Sequence, residues 1–415
     1  MTQPTEKPVL ILSGHGSIRP AIPALAADYD LLFIDPQGAQ TAAELGVSNV
    51  AALQQFIDPE LREMASNTAA IMTARAVNAL PDIAGRFNSA YGHGQPSLLN
   101  SQMPGWFAGY AAFNFGELVM QLSVLEKFYS MRRVAGVVVH EDLTPIYRSV
   151  VLHAKAKGVP TIHVPHAACH LLPSASPDIH RETRTDYIAA SGDYMAQWYA
   201  AVGFPLDKII VTGAPQFDGW YKGGVPSREE ARRVLGVENT QRVICYATTW
   251  AQTTSTRSPH AEQEQTDGLA ATIKLAKSTD AALMVKCHPS ETPDNEKFYS
   301  AALEQSNVAG LVTRNHIGYI LAAADVLVAQ APSNLCVEAA IIGTPSVYLQ
   351  TDGFDFAHRL PFRATPNTLA AEAGKALDSR GNEEWRNFAI YYNAAHPDGE
   401  AAVKLADMVR MLCPI

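Results

Sequence analysis

The amino-acid sequence predicts an α/β protein of two Rossmann-like, doubly wound lobes with an interlobe cleft and a C-terminal helix crossing back to the first lobe. Three observations carry that prediction. The 415 residues allow two or three domains at about 100–200 residues each. With 47% hydrophobic and 18% charged residues there is ample material for packed cores, which excludes a disordered or low-complexity chain. Finally, short apolar runs alternate with longer amphipathic segments, the pattern of a parallel sheet covered by helices.

In the first half the runs Pro8–Leu12, Leu31–Asp35, Gly136–His140, Thr161–Val164, Tyr187–Ala190 and Lys208–Val211 read as strands. Ala112–Arg132 and Pro145–Lys157 read as helices, the second stopped by Lys-Gly and Pro160. In the second half Arg242–Ala247, Ala282–Cys287, Gly310–Val312, Val326–Ala329 and Ser346–Leu349 read as strands, with helices over Gln265–Lys277 and Leu335–Ile342. Gly223-Gly224 and Pro226 break the pattern between them, and Ser227-Arg-Glu-Glu230 opens a short helix in the manner of a capping box. The expected organisation is a first lobe over 1–220, a linker over 221–239, a nucleotide-donor lobe over 240–381 and a helical segment over 382–415.

Charge and cysteine content narrow the function classes. Lys and Arg number 32 against 41 Asp and Glu, a formal net charge of −9, which is a poor match to the phosphate-neutralising surface that general nucleic-acid binding requires. No apolar run approaches the roughly 20 residues needed to span a bilayer, and Met1–Pro8 has no apolar stretch of the secretory kind. The five cysteines (Cys169, Cys245, Cys287, Cys336, Cys413) are odd in number and scattered without a CxxC pair. That argues against a disulfide framework or a cysteine zinc site and for reduced, buried thiols in a cytoplasmic protein.

Ligands in doubly wound sheets bind beyond the carboxyl ends of the strands, so the residues there are the site candidates. Val9-Leu-Ile-Leu-Ser-Gly-His-Gly-Ser17 is a strand running into a Gly-rich turn. A dinucleotide site would want a third glycine where Arg19 stands, although Asp35 ends the second strand as a ribose-binding acid would. The preferred reading is a tight turn facing the cleft, with Ser13, Gly14 and His15 as substrate contacts. In His140-Glu-Asp-Leu-Thr-Pro145, Asp142 suits the cap of the helix begun by Pro145, leaving Glu141 as the catalytic candidate. His163, His166 and His170 have spacings that a metal could use, but they sit on a strand and loop rather than an HExxH helix. His166 is therefore read as a substrate contact and His163 as structural, with no metal site expected.

Ile210-Val-Thr-Gly-Ala-Pro-Gln-Phe-Asp218 ends a strand, turns at Pro215 and presents Gln216 and Asp218 before the linker, Asp218 either at the cleft mouth or capping a local turn. Cys245-Tyr-Ala-Thr-Thr-Trp250 offers Thr249 to a phosphate or ribose, and Lys286 and His288 can stabilise charge on a phosphate leaving group. A helix beginning at Ser333-Asn334 supplies free amides for phosphate, and Glu338, one turn in, can bind ribose hydroxyls.

Thr212-Gly-x-Pro-x-x-Asp218, Tyr246-Ala-x-Thr-Trp250, His288-Pro289 and Ser333…Glu338…Gly343-x-Pro345 resemble the corresponding segments of GT-B transferases that use cytidine nucleotides. These include CDP-glycerol glycerophosphotransferases and bacterial polysialyltransferases. The likeness runs over about Ile188–Leu349, and the size and two carboxylates look most similar to retaining β-Kdo transferases. That resemblance implies metal-independent transfer of Kdo from CMP-β-Kdo to a surface polysaccharide, with Asp218 as nucleophile and Glu141 as acid/base. Lys286, His288, Thr249, Ser333, Asn334 and Glu338 would hold CMP. The implied partners are the CMP-sugar donor and an oligosaccharide or lipid-linked acceptor, with peripheral membrane association or a partner glycosyltransferase module left open. Competing readings are glycerophosphate or polyol-phosphate transfer from a CDP donor, a nucleotide-sugar 2-epimerase, and a non-enzymatic binding module.

Overall fold

The computed structural model describes residues 7–91, 103–166, 183–249, 261–289, 291–331, 333–349, 362–379, 387, 391 and 398–415. By compactness the chain divides into two units. One comprises Met1–His166, Glu182–Ala189 and Leu405–Ile415, the other Ala167–Arg181 and Ala190–Lys404.

The first sheet holds β1 (Val9–Leu12), β2 (Asp30–Phe33), β3 (Val50–Ala52), β4 (Val134–Val139), β5 (Thr161–His163), β6 (Tyr187–Ala190) and β7 (Ile209–Val211) in the order β3-β2-β1-β4-β5-β6-β7. Its registered pairs are parallel, with Leu10 opposite Leu31 on one side and Gly136 on the other. Parallel strands are covered on both faces, which is why β4 reads Val-Ala-Gly-Val-Val-Val and is buried at every position. The covering helices are α1 (Ile22–Ala26), α2 (Pro36–Glu44), a long pair α3 (Pro59–Tyr91) and α4 (Met103–Met131), and α5 (Pro145–Ala156). One core packs Ile11, Leu32, Val137 and Val139 against Val124, Leu125 and Val150 from α4 and α5.

Close approach dictates one pair of glycines. A Cβ on Gly14, just after β1, would lie 2.3 Å from the Gly38 Cα in α2, and one on Gly38 would lie 2.8 Å from the Gly14 Cα. Asp35 caps α2, its carboxylate accepting from the Gly38 and Gly14 amides at 2.6 and 3.2 Å. The acid at the end of β2 thus holds the turn after β1.

After α6 (Asp193–Ala201) and α7 (Arg228–Leu235), the second sheet comprises β8 (Val243–Ala247), β9 (Ala282–Lys286), β10 (Gly310–Thr313), β11 (Val326–Ala329) and β12 (Ser346–Tyr348). Their order is β10-β9-β8-β11-β12, again parallel. Helices α8 (Ala261–Thr279), α9 (Pro293–Ser306), α10 (Ile317–Ala323), α11 (Asn334–Ile342) and α12 (Leu369–Asp378) accompany them, and α13 (Ala401–Leu412) closes the chain. Ser227 caps α7 by accepting from the Glu230 amide at 3.2 Å, as the capping pattern predicts. Fully buried Arg232 of α7 donates to the carbonyls of Ala323, Glu238, Asn239 and Gln241 and pairs with Asp325 at 3.0 Å. The segment read as a linker is therefore fastened into the second unit.

All the strands expected from the sequence are present within a residue or two; β3 is additional. The end of α13 returns to the first unit, where the Tyr29 hydroxyl donates to the Cys413 carbonyl at 2.6 Å and Arg410 pairs with Asp28 at 2.7 Å. Cys245, Cys287 and Cys413 are free and buried, while Cys169 lies outside the described residues. Among the described residues no helix is long and apolar enough to cross a membrane.

Candidate active site

In each sheet the connections leave in opposite directions on either side of one strand, between β1 and β4 in the first and between β8 and β11 in the second. Such reversals open a crevice beyond the strand ends, and loops there can hold a ligand.

At the first reversal three imidazoles converge. His15 follows β1 and His140 follows β4; their rings stack with centroids 4.4 Å apart and planes 12° from parallel. His166, beyond β5, stands edge-on to both at 5.2 and 5.4 Å, and Tyr147 of α5 packs on His140 at 4.8 Å. Burial, with the His166 charge second, lowers the His15 pKa to about 4. Burial again leads for His140, joined by His15, His166 and His163, and lowers it to about 2. Both rings are neutral at pH 7.

Their hydrogen bonds assign the tautomers. The Ser17 amide donates to His15 Nδ1 at 3.1 Å, which puts the ring proton on Nε2 and makes that nitrogen a donor. His166 is exposed, and its Nδ1 lies 3.3 Å from the His140 carbonyl. A carbonyl only accepts, so Nδ1 carries a proton and donates it to that carbonyl. Buried His163 gives its Nε2 proton to the same carbonyl at 3.1 Å, a structural contact. Ser13 is fully buried, and its hydroxyl accepts from the His140 amide at 3.0 Å, tying β1 to β4. Among the described residues no group of three or more His, Cys, Asp or Glu is arranged to hold a metal ion. His170 lies outside the described residues.

Glu141, Asp142 and Asp218 each accept from backbone amides. Glu141 accepts from the Leu143 and Thr144 amides at 3.3 and 3.2 Å and from the Thr144 hydroxyl at 2.6 Å. Asp142, read as the cap of α5, instead accepts from the Arg184 and Thr185 amides at 2.5 and 3.1 Å. Asp218, in the second unit, accepts from the Ala401 and Ala402 amides at 3.0 and 2.8 Å and so caps α13. Burial raises its pKa above the ordinary carboxylate value against the pull of those two amides. Among the described residues the side-chain oxygen of neighbouring Gln216 is buried with no hydrogen-bond partner.

The second reversal is built from hydrogen bonds rather than bases. Thr248 and Thr249 follow β8, His288 follows β9, and Ser333 opens α11 with its hydroxyl accepting from the Leu335 amide at 3.2 Å. Lys286 donates to the Cys287 carbonyl at 2.6 Å, and burial lowers its pKa. Burial raises the pKa of Glu338, in α11, to about 7, with the Lys286 charge pulling it down. Asn334 is the first residue of α11. These residues, expected from the sequence to hold a nucleotide, lie on neighbouring strand ends and one helix N-terminus. Sequence reasoning missed His140; its signal was its place directly after the all-buried β4.

Residues 153–341 match the family described as CDP-Glycerol:Poly(glycerophosphate) glycerophosphotransferase, somewhat less than half of the chain. No curated protein matches the sequence. Among solved structures, UDP-GlcNAc 2-epimerase from Neisseria meningitidis bound to UDP-GlcNAc is similar at 14% identity and a TM-score of 0.59, over 97% of this chain and 99% of that one. The Methanocaldococcus jannaschii UDP-GlcNAc 2-epimerase in complex with UDP-GlcNAc and UDP gives the same figures: 14%, 0.59, 97% and 99%. The H444N variant of the wall teichoic acid polymerase TagF is similar at 13% identity and a TM-score of 0.50, over 98% of this chain and 88% of that one. Together with the two parallel sheets, these likenesses establish the two-lobe, Rossmann-like GT-B fold.

Proposed function

We propose that the chain is a transferase that moves a polyol-phosphate group from a cytidylyl-activated donor onto a hydroxyl of a glycan or polyol acceptor. The orientation of His166 carries the reading. Its Nδ1 proton is given to a backbone carbonyl, its ring is set edge-on to His15 and His140, and the residue is exposed. That is the arrangement of a general base held by a third group. The acceptor hydroxyl gives its proton to Nε2, the acceptor oxygen bonds to the donor's phosphorus, and CMP leaves. His15 Nε2–H, with no exchangeable charge at pH 7, supplies a donor to oxygen that becomes negative. In the second unit the amides opening α11 and the Lys286 ammonium suit the phosphate of the departing nucleotide, and Glu338 suits its ribose.

The match over residues 153–341 supports the polyol-phosphate class, since it takes in both His166 and the second reversal. Retaining Kdo transfer asks for a nucleophile and an acid/base, and Asp218 and Glu141, which the motifs suggest for them, are occupied by backbone amides. A donor panel separates the readings: CDP-glycerol, CMP-Kdo and UDP-GlcNAc are each incubated with the protein and a polyol or glycan acceptor. CMP release from CDP-glycerol supports the proposal. Release from CMP-Kdo alone transfers the assignment to the sugar acid, and conversion of UDP-GlcNAc without acceptor transfers it to an epimerase.

A further inference from the structure

We infer that Glu291 is a positioning residue for the nucleotide donor, a role that rests on the donor reading of the second unit. It is 6% exposed and lies in the turn after His288-Pro289, its own amide donating to the His288 carbonyl at 3.0 Å. One carboxylate oxygen accepts from the His288 amide at 2.8 Å and from the Thr248 hydroxyl. The other accepts from Gln265 Nε2 at 3.1 Å and from the Tyr299 hydroxyl.

Gln265 extends the reach of this carboxylate. Its Oε1 accepts from the Thr249 amide at 3.0 Å, and its Nε2 also donates to the Tyr299 hydroxyl at 2.6 Å. The Tyr246 hydroxyl lies 2.9 Å from both the Gln265 carbonyl and Gln330 Oε1, which brings the end of β11 into the same network. Helix α8 comes close enough to take part because residue 268 is glycine. A Cβ there would lie 2.2 Å from Gln330 Oε1 and 3.0 Å from the Tyr246 hydroxyl. One buried carboxylate thus joins the ends of β8, β9 and β11, and with them Thr249 and His288, two of the groups assigned to the donor.

The outer side of the same turn is fixed separately. Arg314 donates to the Glu291 carbonyl at 2.6 Å and approaches the Pro289 and His288 carbonyls at 3.4 and 3.5 Å. Arg314 secures the turn's backbone to β10, and the Glu291 side chain secures it to β8. Each carboxylate oxygen faces one group that can only donate, the His288 amide on one and the Gln265 NH2 on the other, so a side chain with two acceptor oxygens is needed to satisfy both. Glutamine would set an NH2 group against one of these two N–H donors and release part of the network.

The test is Glu291→Gln with Glu291→Asp as the conservative partner, each measured against wild type. CMP and CDP binding are read by calorimetry, donor KM and kcat by CMP release, and folding by thermal melting. Hydrogen exchange by mass spectrometry is followed on peptides covering Tyr246–Thr249 and Lys286–Glu291. The expected result for Glu291→Gln is CMP binding weakened about 10-fold or more and a raised donor KM. Exchange should be faster in both peptides while the protein still melts cooperatively, and Glu291→Asp should recover part of each loss. A lowered melting temperature with CMP affinity and KM unchanged would make the residue merely structural and overturn the proposal. If wild type binds neither CMP nor CDP, the donor reading fails by itself. Exchange then decides the positioning: acceleration in both peptides upholds the link between the strand ends, and wild-type exchange in either removes it.

Discussion

The strand-end reversals of the two sheets share one topology and carry opposite chemistry. In the first, His15, His140 and His166 meet by ring contact, and burial keeps the His15 and His140 rings neutral at pH 7. In the second, the side chains of Glu291, Gln265, Tyr299 and Thr248 spend their hydrogen bonds on one another. A site whose polar groups are satisfied is rigid and suits recognition of a fixed nucleotide, whereas an exposed imidazole set against buried neutral rings suits proton transfer. The fold repeats, but the work is divided.

Removing the base should break this division most severely. His166→Asn is expected to lower turnover by about 10²–10⁴-fold, the usual worth of a positioned general base, while CMP binding by calorimetry stays at the wild-type level. Next come the carboxylates, which separate capping from chemistry. Asp218→Asn should cost about 1–2 kcal/mol in denaturant unfolding, since an amide is a weaker cap for the two α13 amides, and leave kcat of the folded protein near wild type. A loss of all turnover would instead restore Asp218 as a nucleophile. Glu141→Gln is expected to behave likewise with a smaller stability loss, about 1 kcal/mol or less, checked by the same unfolding curves.

The imidazole cluster also predicts a pH effect with a definite sign. His15 and His140 titrate near 4 and near 2 when folded and near 6.5 when unfolded, so between those values the unfolded chain binds more protons. Their contribution is fully present above about pH 6.5 and is lost as the pH falls, toward 4 for His15 and toward 2 for His140. Melting temperature should therefore drop over that window, and His140→Phe, which keeps an aromatic ring against His15 and Tyr147, should flatten the drop. The smallest expected effect is that of a chelator. On the proposed reading Lys286 and the amides opening α11 would provide the positive charge for the nucleotide phosphate, so EDTA should leave the rate of CMP release unchanged.

How legible these features are in the sequence follows from the range of the interactions behind them. Strands buried on both faces declare themselves as apolar runs, as in Val134–Val139 and Val326–Ala329. The edge strand Val50–Ala52 does not, because three residues with two alanines hold too little pattern. The Ser227 cap is readable because its partner is three residues away. Asp142 and Asp218 are not, because the amides they meet lie at residues 184–185 and 401–402, and no local spacing reveals them. Asp142 is therefore assigned to the cap of α5 and Asp218 looks catalytic until the distant backbone each one meets is known. His140 escapes notice for the converse reason: the adjacent Glu141 and Asp142 draw attention, while ring stacking across β1 and β4 depends on strand order.

The most direct test of the division of labour pairs two readings on two variants, CMP affinity and the rate of CMP release from CDP-glycerol, for His166→Asn and Lys286→Met. The account predicts that His166→Asn keeps CMP affinity and loses turnover, while Lys286→Met weakens CMP affinity and raises donor KM. If His166→Asn instead turns over at the wild-type rate, or weakens CMP binding as much as Lys286→Met does, the assignment of base chemistry to the first sheet and nucleotide recognition to the second is contradicted.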